Sequence, residues 1–369
     1  MNRLTLPGVL VWSGLLLSLP PIVEAQSGPD KRLLQKTSVH VDAKPVEDVL
    51  RELGEKHKLA VDFDPSVEAE GSGKLPFTLT ADLTLGSALH LACGSANLVY
   101  TIDKGRLLVT TREADEQILF AREYPLAPLG AIGDPQVLAA GLMEVSSGTW
   151  KDVDGEGGEF VAISPRSLTI RQSRAVHAEL QSLFEQIAAA ATGRGRALSV
   201  QDRVEQTIVR KLQTPTQLAA GPMALPELLD QLLKKNGVPF WIDVVALADE
   251  GIDWTKATST IEGKKMPTAA RLDAVLNELE LSWRVTDEVV QITTRVKVSE
   301  QMVVRVYDVR RLLTLNRSLS ALATQVTGTK ELGPWEVTDG EGGSLMELGT
   351  LLVVRHNVAV HAKLAAMLK

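Results

Sequence analysis

The residues equipped for chemistry come in pairs. Two acidic, glycine-rich loops, Asp154-Gly-Glu-Gly-Gly158 and Asp339-Gly-Glu-Gly-Gly343, offer the carboxylate oxygens that calcium takes. Calcium needs about six to eight oxygens; each loop brings two nearby carboxylates, with glycines where further ligands belong. A turn leading from a tryptophan into a strand is the better reading. His177 and His361 hold matching places in two Ala-Val-His-Ala tetrapeptides, but no second ligand precedes His177 at helical spacing. His356 and His361 are five apart, off the i, i+4 pairing of a helical metal site. A histidine on a helix surface, or packed against a neighbouring module, fits better. Trp150 and Trp335 head the two loops. Either they stack on a sugar or peptide, or, as repeated tryptophans more often do, they plug the core of their own module. Cys93 lies on an apolar helix face and reads as core. Gly-x-Ser-x-Gly, a phosphate-cradling loop and His-Glu-x-x-His are all absent from the sequence. These residues predict no enzyme, no cofactor and no metal.

The elements that must position them are also written twice. Trp150-Lys-Asp-Val-Asp-Gly-Glu-Gly-Gly158 returns roughly 185 residues later as Trp335-Glu-Val-Thr-Asp-Gly-Glu-Gly-Gly343. A period that long is a whole domain or more, not a solenoid unit. Val46, Val49, Leu50 and Leu53 fall on one helical face, and Leu225, Leu228, Leu229 and Leu232 repeat them. Alternating Leu59, Val61 and Phe63 predict a half-buried strand, matched by Val238, Phe240 and Ile242. Thr84, Asp134 and Ser173 are helix caps, with Pro135 in a first turn. Asp103-Lys-Gly105 is a hairpin signature. The pattern reads βαββαββ followed by βαββα, and then the same pair again. The fold class is α+β, built of tandem small modules. Ala188–Arg196, an alanine run fading into Gly-Arg-Gly-Arg, is the clearest boundary. The halves on either side are expected to fold independently.

Of 369 residues, 44% are hydrophobic and 23% charged, a globular balance, and the net charge of −7 carries no basic block. That argues against nucleic acid and anionic membrane as partners. Arg3, the apolar run Val9–Leu19, Pro20-Pro21 and Val23-Glu24-Ala25 read as a cleaved secretory signal, too short to span a membrane. The mature chain is expected to begin near Gln26, outside the cytoplasm, with no transmembrane span. A single cysteine excludes an intrachain disulfide.

Pro45-Val-Glu-Asp-Val-Leu-Arg-Glu-Leu53, the strand ending Asp62-Phe-Asp64, the Leu83-Thr-Leu85 helix start and the turn before Leu98-Val-Tyr100 resemble the short N-terminal domain shared by secretins and TonB-dependent receptors. The following βαββα unit resembles the KH-like periplasmic repeats of secretins. The resemblance divides the chain into a signal peptide (1–25), an N-domain-like module (33–113), a KH-like module (117–190), a linker (191–202), a second N-domain-like module (203–297) and a second KH-like module (300–369). Secretins end in a pore domain and TonB-dependent receptors carry a barrel; neither pattern is present here. What the resemblance implies is a periplasmic, non-enzymatic scaffold or adaptor. Its partners would be proteins of envelope or secretion machinery, or further copies of itself. The strands Ile118–Tyr124 and Val303–Tyr307 open the KH-like modules, so Arg122, Tyr124, Arg305 and Tyr307 are the expected contacts on a strand-adding edge. The alternative is an envelope polysaccharide or peptide bound through the Trp150 and Trp335 loops.

Overall fold

The computed structural model describes residues 30–130, 133–193, 200–313 and 317–368. The signal sequence and the centre of the linker lie outside the described residues. The chain forms four small α+β modules in two alternating types.

The first module runs β1 (Lys36–Pro45), α1 (Val46–Lys56), β2 (Ala60–Phe63), α2 (Pro65–Glu70), β3 (Pro76–Thr84), α3 (Leu85–Ser95), β4 (Leu98–Asp103), β5 (Arg106–Thr111) and α4 (Arg112–Glu116). β1 pairs antiparallel with β3, while β2, β5 and β4 make a second sheet in that order. Both predicted helices lie between these sheets. Val46, Val49, Leu50 and Leu53 of α1 are buried, as their spacing requires. Each such burial contributes about 1.5–3 kcal/mol, enough for a helix with no side-chain cap. α2 is an addition to the predicted order, started by Asp64 capping Ser66 N and by Pro65 in the first turn.

The second module runs β6 (Phe120–Pro125), α5 (Pro135–Val145), α6 (Lys151–Asp154), β7 (Glu159–Ile163), β8 (Ser167–Gln172) and α7 (Arg174–Ala191). Its antiparallel sheet has the order β6-β8-β7. Asp134 caps α5 and Ser173 caps α7, as expected.

The third module begins with a helix, α8 (Val200–Leu212), whose start falls within the expected linker 191–202. Val204, Ile208 and Leu212, four apart and packed into the core, are the signal that marks it. There follow β9 (Pro215–Thr216), β10 (Gly221–Ala224), α9 (Leu225–Leu232), β11 (Phe240–Ile242), α10 (Val244–Asp249), β12 (Thr258–Ile261), β13 (Met266–Pro267), α11 (Thr268–Glu278), β14 (Leu281–Thr286), β15 (Val289–Thr294) and α12 (Arg295–Glu300). Here the two-stranded sheet is split into β10–β12 and β9–β13. The buried Arg271 guanidinium donates to the carbonyls of Glu262 and Lys264 in the intervening loop. The fourth module runs β16 (Val303–Asp308), α13 (Leu319–Thr327), α14 (Glu336–Asp339), β17 (Ser344–Leu348), β18 (Leu351–His356) and α15 (Val358–Met367), with sheet order β16-β18-β17.

The two halves are packed together and share buried surface. The core of the first module includes Trp241 and Val289 from the third. The core of the second includes Met346, Leu348, Leu351 and Val353 from the fourth. The first copy is therefore packed against the second at both levels, and cutting the chain at the linker leaves four buried faces to solvate.

Candidate functional site

Each tryptophan loop is a closed device. Trp150 is 1% exposed, and Trp335 is fully buried. The Trp150 indole stacks on Phe160 at 5.1 Å and its Nε1 donates to Ser146 Oγ at 2.9 Å. Trp335 meets His356 edge-on at 4.9 Å. The backbone N–H of Trp150 donates to Asp154 Oδ2 (2.6 Å), and that of Trp335 donates to Asp339 Oδ2 (2.8 Å). The conspicuous acids therefore fasten their own loop. The bond from Trp335 holds Asp339 below the usual carboxylate range. Among the described residues no group of three His, Cys, Asp or Glu is placed to hold a metal ion. Gly157 (φ +96) and Gly342 (φ +102) complete the turn where a Cβ would meet Thr149 or Pro334 at under 2.5 Å. With both indoles inside, the stacking surface that the polysaccharide reading relies on is closed. Each loop also exposes a valine, Val153 at 68% and Val337 at 78%.

The expected docking strands are outer strands of their sheets, β6 beside β8 and β16 beside β18. Their tyrosines point inward, not toward a partner. The Tyr124 hydroxyl lies 2.8 Å from His177 Nδ1 and 3.2 Å from the His177 carbonyl, and His177 Nε2 lies 2.8 Å from the Phe120 carbonyl. Because a carbonyl only accepts, Nε2 carries the proton and Nδ1 takes the one donated by tyrosine. Tyr307, His361 and the Val303 carbonyl repeat the set at 2.8, 3.3 and 2.8 Å. Arg122 and Arg305 interact with the tyrosine of their own strand. Burial pushes Tyr124 up to about 12 and both histidines down to about 4. At neutral pH the tyrosine is no base and the histidine no acid, so the set fastens a helix to an edge strand. Neither histidine lies on a helix surface or packs against a neighbouring module, as their spacing had suggested; both are buried inside their own module.

One polar cluster that the sequence reading missed joins the two copies. Glu288, fully buried in the β14–β15 turn, accepts from Thr84 N (2.8 Å), Ser87 Oγ (3.1 Å) and Lys36 Nζ (2.6 Å). Its carboxylate thus sits at the start of α3, where unpaired N–H groups and the helix dipole favour negative charge. Asp287 lies 3.2 Å from His90, and Gln201 at the start of α8 donates to Thr84 and Ser87. Burial pushes Glu205 up to about 7, helped by Asp287, Asp202 and Glu288. Asp287 and Glu288 both have positive φ (+49 and +63), where the first copy has Lys104 and Gly105. A glutamate in that strained place is the signal that was available. Cys93 is buried and its thiol is pushed up to about 12, unreactive core as expected.

No family model matches the chain, and no curated protein matches it. Among solved structures, XcpQN012 is 11% identical over 66% of this chain and 97% of its own, with a TM-score of 0.18. The GspC-GspD complex of the type II secretion system of enterotoxigenic Escherichia coli is 9% identical over 42% of this chain and 99% of its own, at 0.16. The N-terminal domain of the secretin XcpQ from Pseudomonas aeruginosa is 11% identical over 48% and 79%, at 0.17. No helix among the described residues is long and apolar enough to cross a membrane.

Proposed function

We propose that this chain is an exported, non-enzymatic scaffold or adaptor that binds proteins of envelope secretion or outer-membrane transport machinery. The observation that carries the reading is the position of β6: it is the outer strand of its sheet, and an outer strand is a template for adding another. The arrangement of two alternating small α+β modules agrees with the periplasmic, secretin-like reading of the sequence. The repeated titratable groups are spent on fastening elements together, which fits a binding role better than catalysis.

The test uses the purified mature chain and the periplasmic region of a secretin encoded in the same genome, with binding followed by surface plasmon resonance. Saturable binding that Arg122→Pro weakens, with a native far-UV circular dichroism spectrum, supports the reading, because proline removes one backbone donor from an outer strand. Binding unaffected by that variant, or no binding at all, counts against it. Intact mass of the native protein adds the export arm: a chain starting near Gln26 is expected, and one retaining Met1–Ala25 would overturn it.

A further inference from the structure

The two contacts between the copies run in the same direction. In each, a sheet face of the second copy is inserted and the first copy receives it. Trp241, Val289 and the Glu288 turn enter the first module against Phe77 (ring centroids 6.2 Å apart), Thr84, Ser87 and Lys36. Met346, Leu348, Leu351 and Val353, with Val304 and Val306 beside them, enter the second module. A Cβ on Gly141 would lie 2.1 Å from Met346 Sδ, so the glycine is the seat of that side chain. Ser344 Oγ donates to the Glu144 carbonyl at 2.7 Å, and Arg310 to the Ala190 carbonyl at 2.8 Å.

A contact between unlike faces leaves one of each kind free, and in a repeated structure such faces recruit the next copy into a ring or a filament. Here both free faces have lost part of that chemistry, although Val161, 43% exposed, keeps an apolar side chain on the inserted side. The strand registers align the copies residue by residue. On the inserted side, Trp241 and Val289 correspond to Asp62 and Arg106 of the first copy, which pair with each other in solvent, 38% and 58% exposed. Val306, Leu351 and Val353 correspond to Glu123, Ser167 and Thr169. On the receiving side, Lys36 and Thr84 correspond to Pro215 and Pro267, which face each other in the same register. Ser87 and Phe77 correspond to Ala270 and Ser259. Proline has no N–H and alanine no hydroxyl, so each of the three donors that hold Glu288 is missing from the second copy. Gly141 corresponds to Gln325, counted from the caps Asp134 and Ser318. A glutamate inserted against Pro215, Pro267 and Ala270 would be a buried carboxylate without donors, which is strongly unfavourable.

We infer that the receiving face of the first copy is dedicated to one partner, the chain's own second copy, and that the chain is a closed head-to-tail pair that does not extend into rings or filaments. This stands independently of the partner proposed above.

The experiment uses the mature chain with a protease site inserted between Gly193 and Val200. Sedimentation velocity of the uncut chain is expected to give a monomer from micromolar concentration to the solubility limit. After cleavage the halves are expected to sediment together, and to separate in a Glu288→Ala/Met346→Glu chain. A mass that rises with concentration in the uncut chain overturns the inference, as does separation of the cleaved wild-type halves. Should the double variant fail to fold, Gly141→Gln, which gives the first copy the residue of the second, is expected to raise the dissociation constant of the cleaved halves at least tenfold. An unchanged constant in that variant, with a native circular dichroism spectrum, would also overturn it.

Discussion

The Tyr124 hydroxyl donates to His177 Nδ1 at 2.8 Å, and Tyr307 donates to His361 Nδ1 at the same distance. Tyr124→Phe leaves a buried ring nitrogen without a donor, at a cost of about 1–3 kcal/mol. Urea unfolding should show the loss in the second module, while His177→Ala in the Tyr124→Phe background adds less than it does alone. Fully additive costs would mean that the two side chains do not act as one clasp.

Both histidines are held neutral, with folded values near 4 against 6.5 for the free side chain. The unfolded chain binds protons first, so their contribution to stability is complete above pH 6.5 and is lost as pH falls through 4. The loss per histidine is on the order of 2–3 kcal/mol. Tm measured against pH should therefore fall on the acid side, and less steeply in a His177→Gln/His361→Gln chain. Parallel profiles would refute the assignment.

Glu205 works with the opposite sign. Its folded value is raised to about 7 from 4.5, so its favourable contribution is present below pH 4.5 and is lost as pH rises through 7. Glu205→Gln is expected to stabilise the chain at about pH 8 by on the order of 1–2 kcal/mol and to do little at about pH 5. A gain that is equal at both pH values would point to packing instead of charge.

Trp150→Ala removes a buried indole and should cost about 3–5 kcal/mol. The expected outcome is a lower Tm and loss of the near-UV signal from the second module. A folded, equally stable variant would show that the ring is dispensable to the core and reopen the loop as a ligand surface.

How much of this was written in the sequence depends on which neighbour a residue has. Val46, Val49, Leu50 and Leu53 announce their helix because their partners lie within the same module. The caps Thr84, Asp134 and Ser173 are equally local. A strand pattern gives alternation but not which face is covered, so it does not show that Tyr124, paired across from Leu168, lies on the core side. The joint between copies stayed hidden because Trp241, Val353 and Met346 are ordinary strand residues in isolation. Only comparison of one copy with the other exposes them, since Val353 is apolar where Thr169 is not.

Tandem copies of a gene segment usually stay interchangeable, and recombination between them deletes one at little cost. Pro267 and Gln325 end that freedom for this chain. A deletion that kept only the first copy would encode a receiving face with nothing to fill it, and one that kept only the second would encode Trp241 and Met346 with nowhere to go. A crossover in the middle would join halves that each lack what the other needs. If the two faces are dedicated to each other as inferred above, selection on either copy acts through its fit to the other.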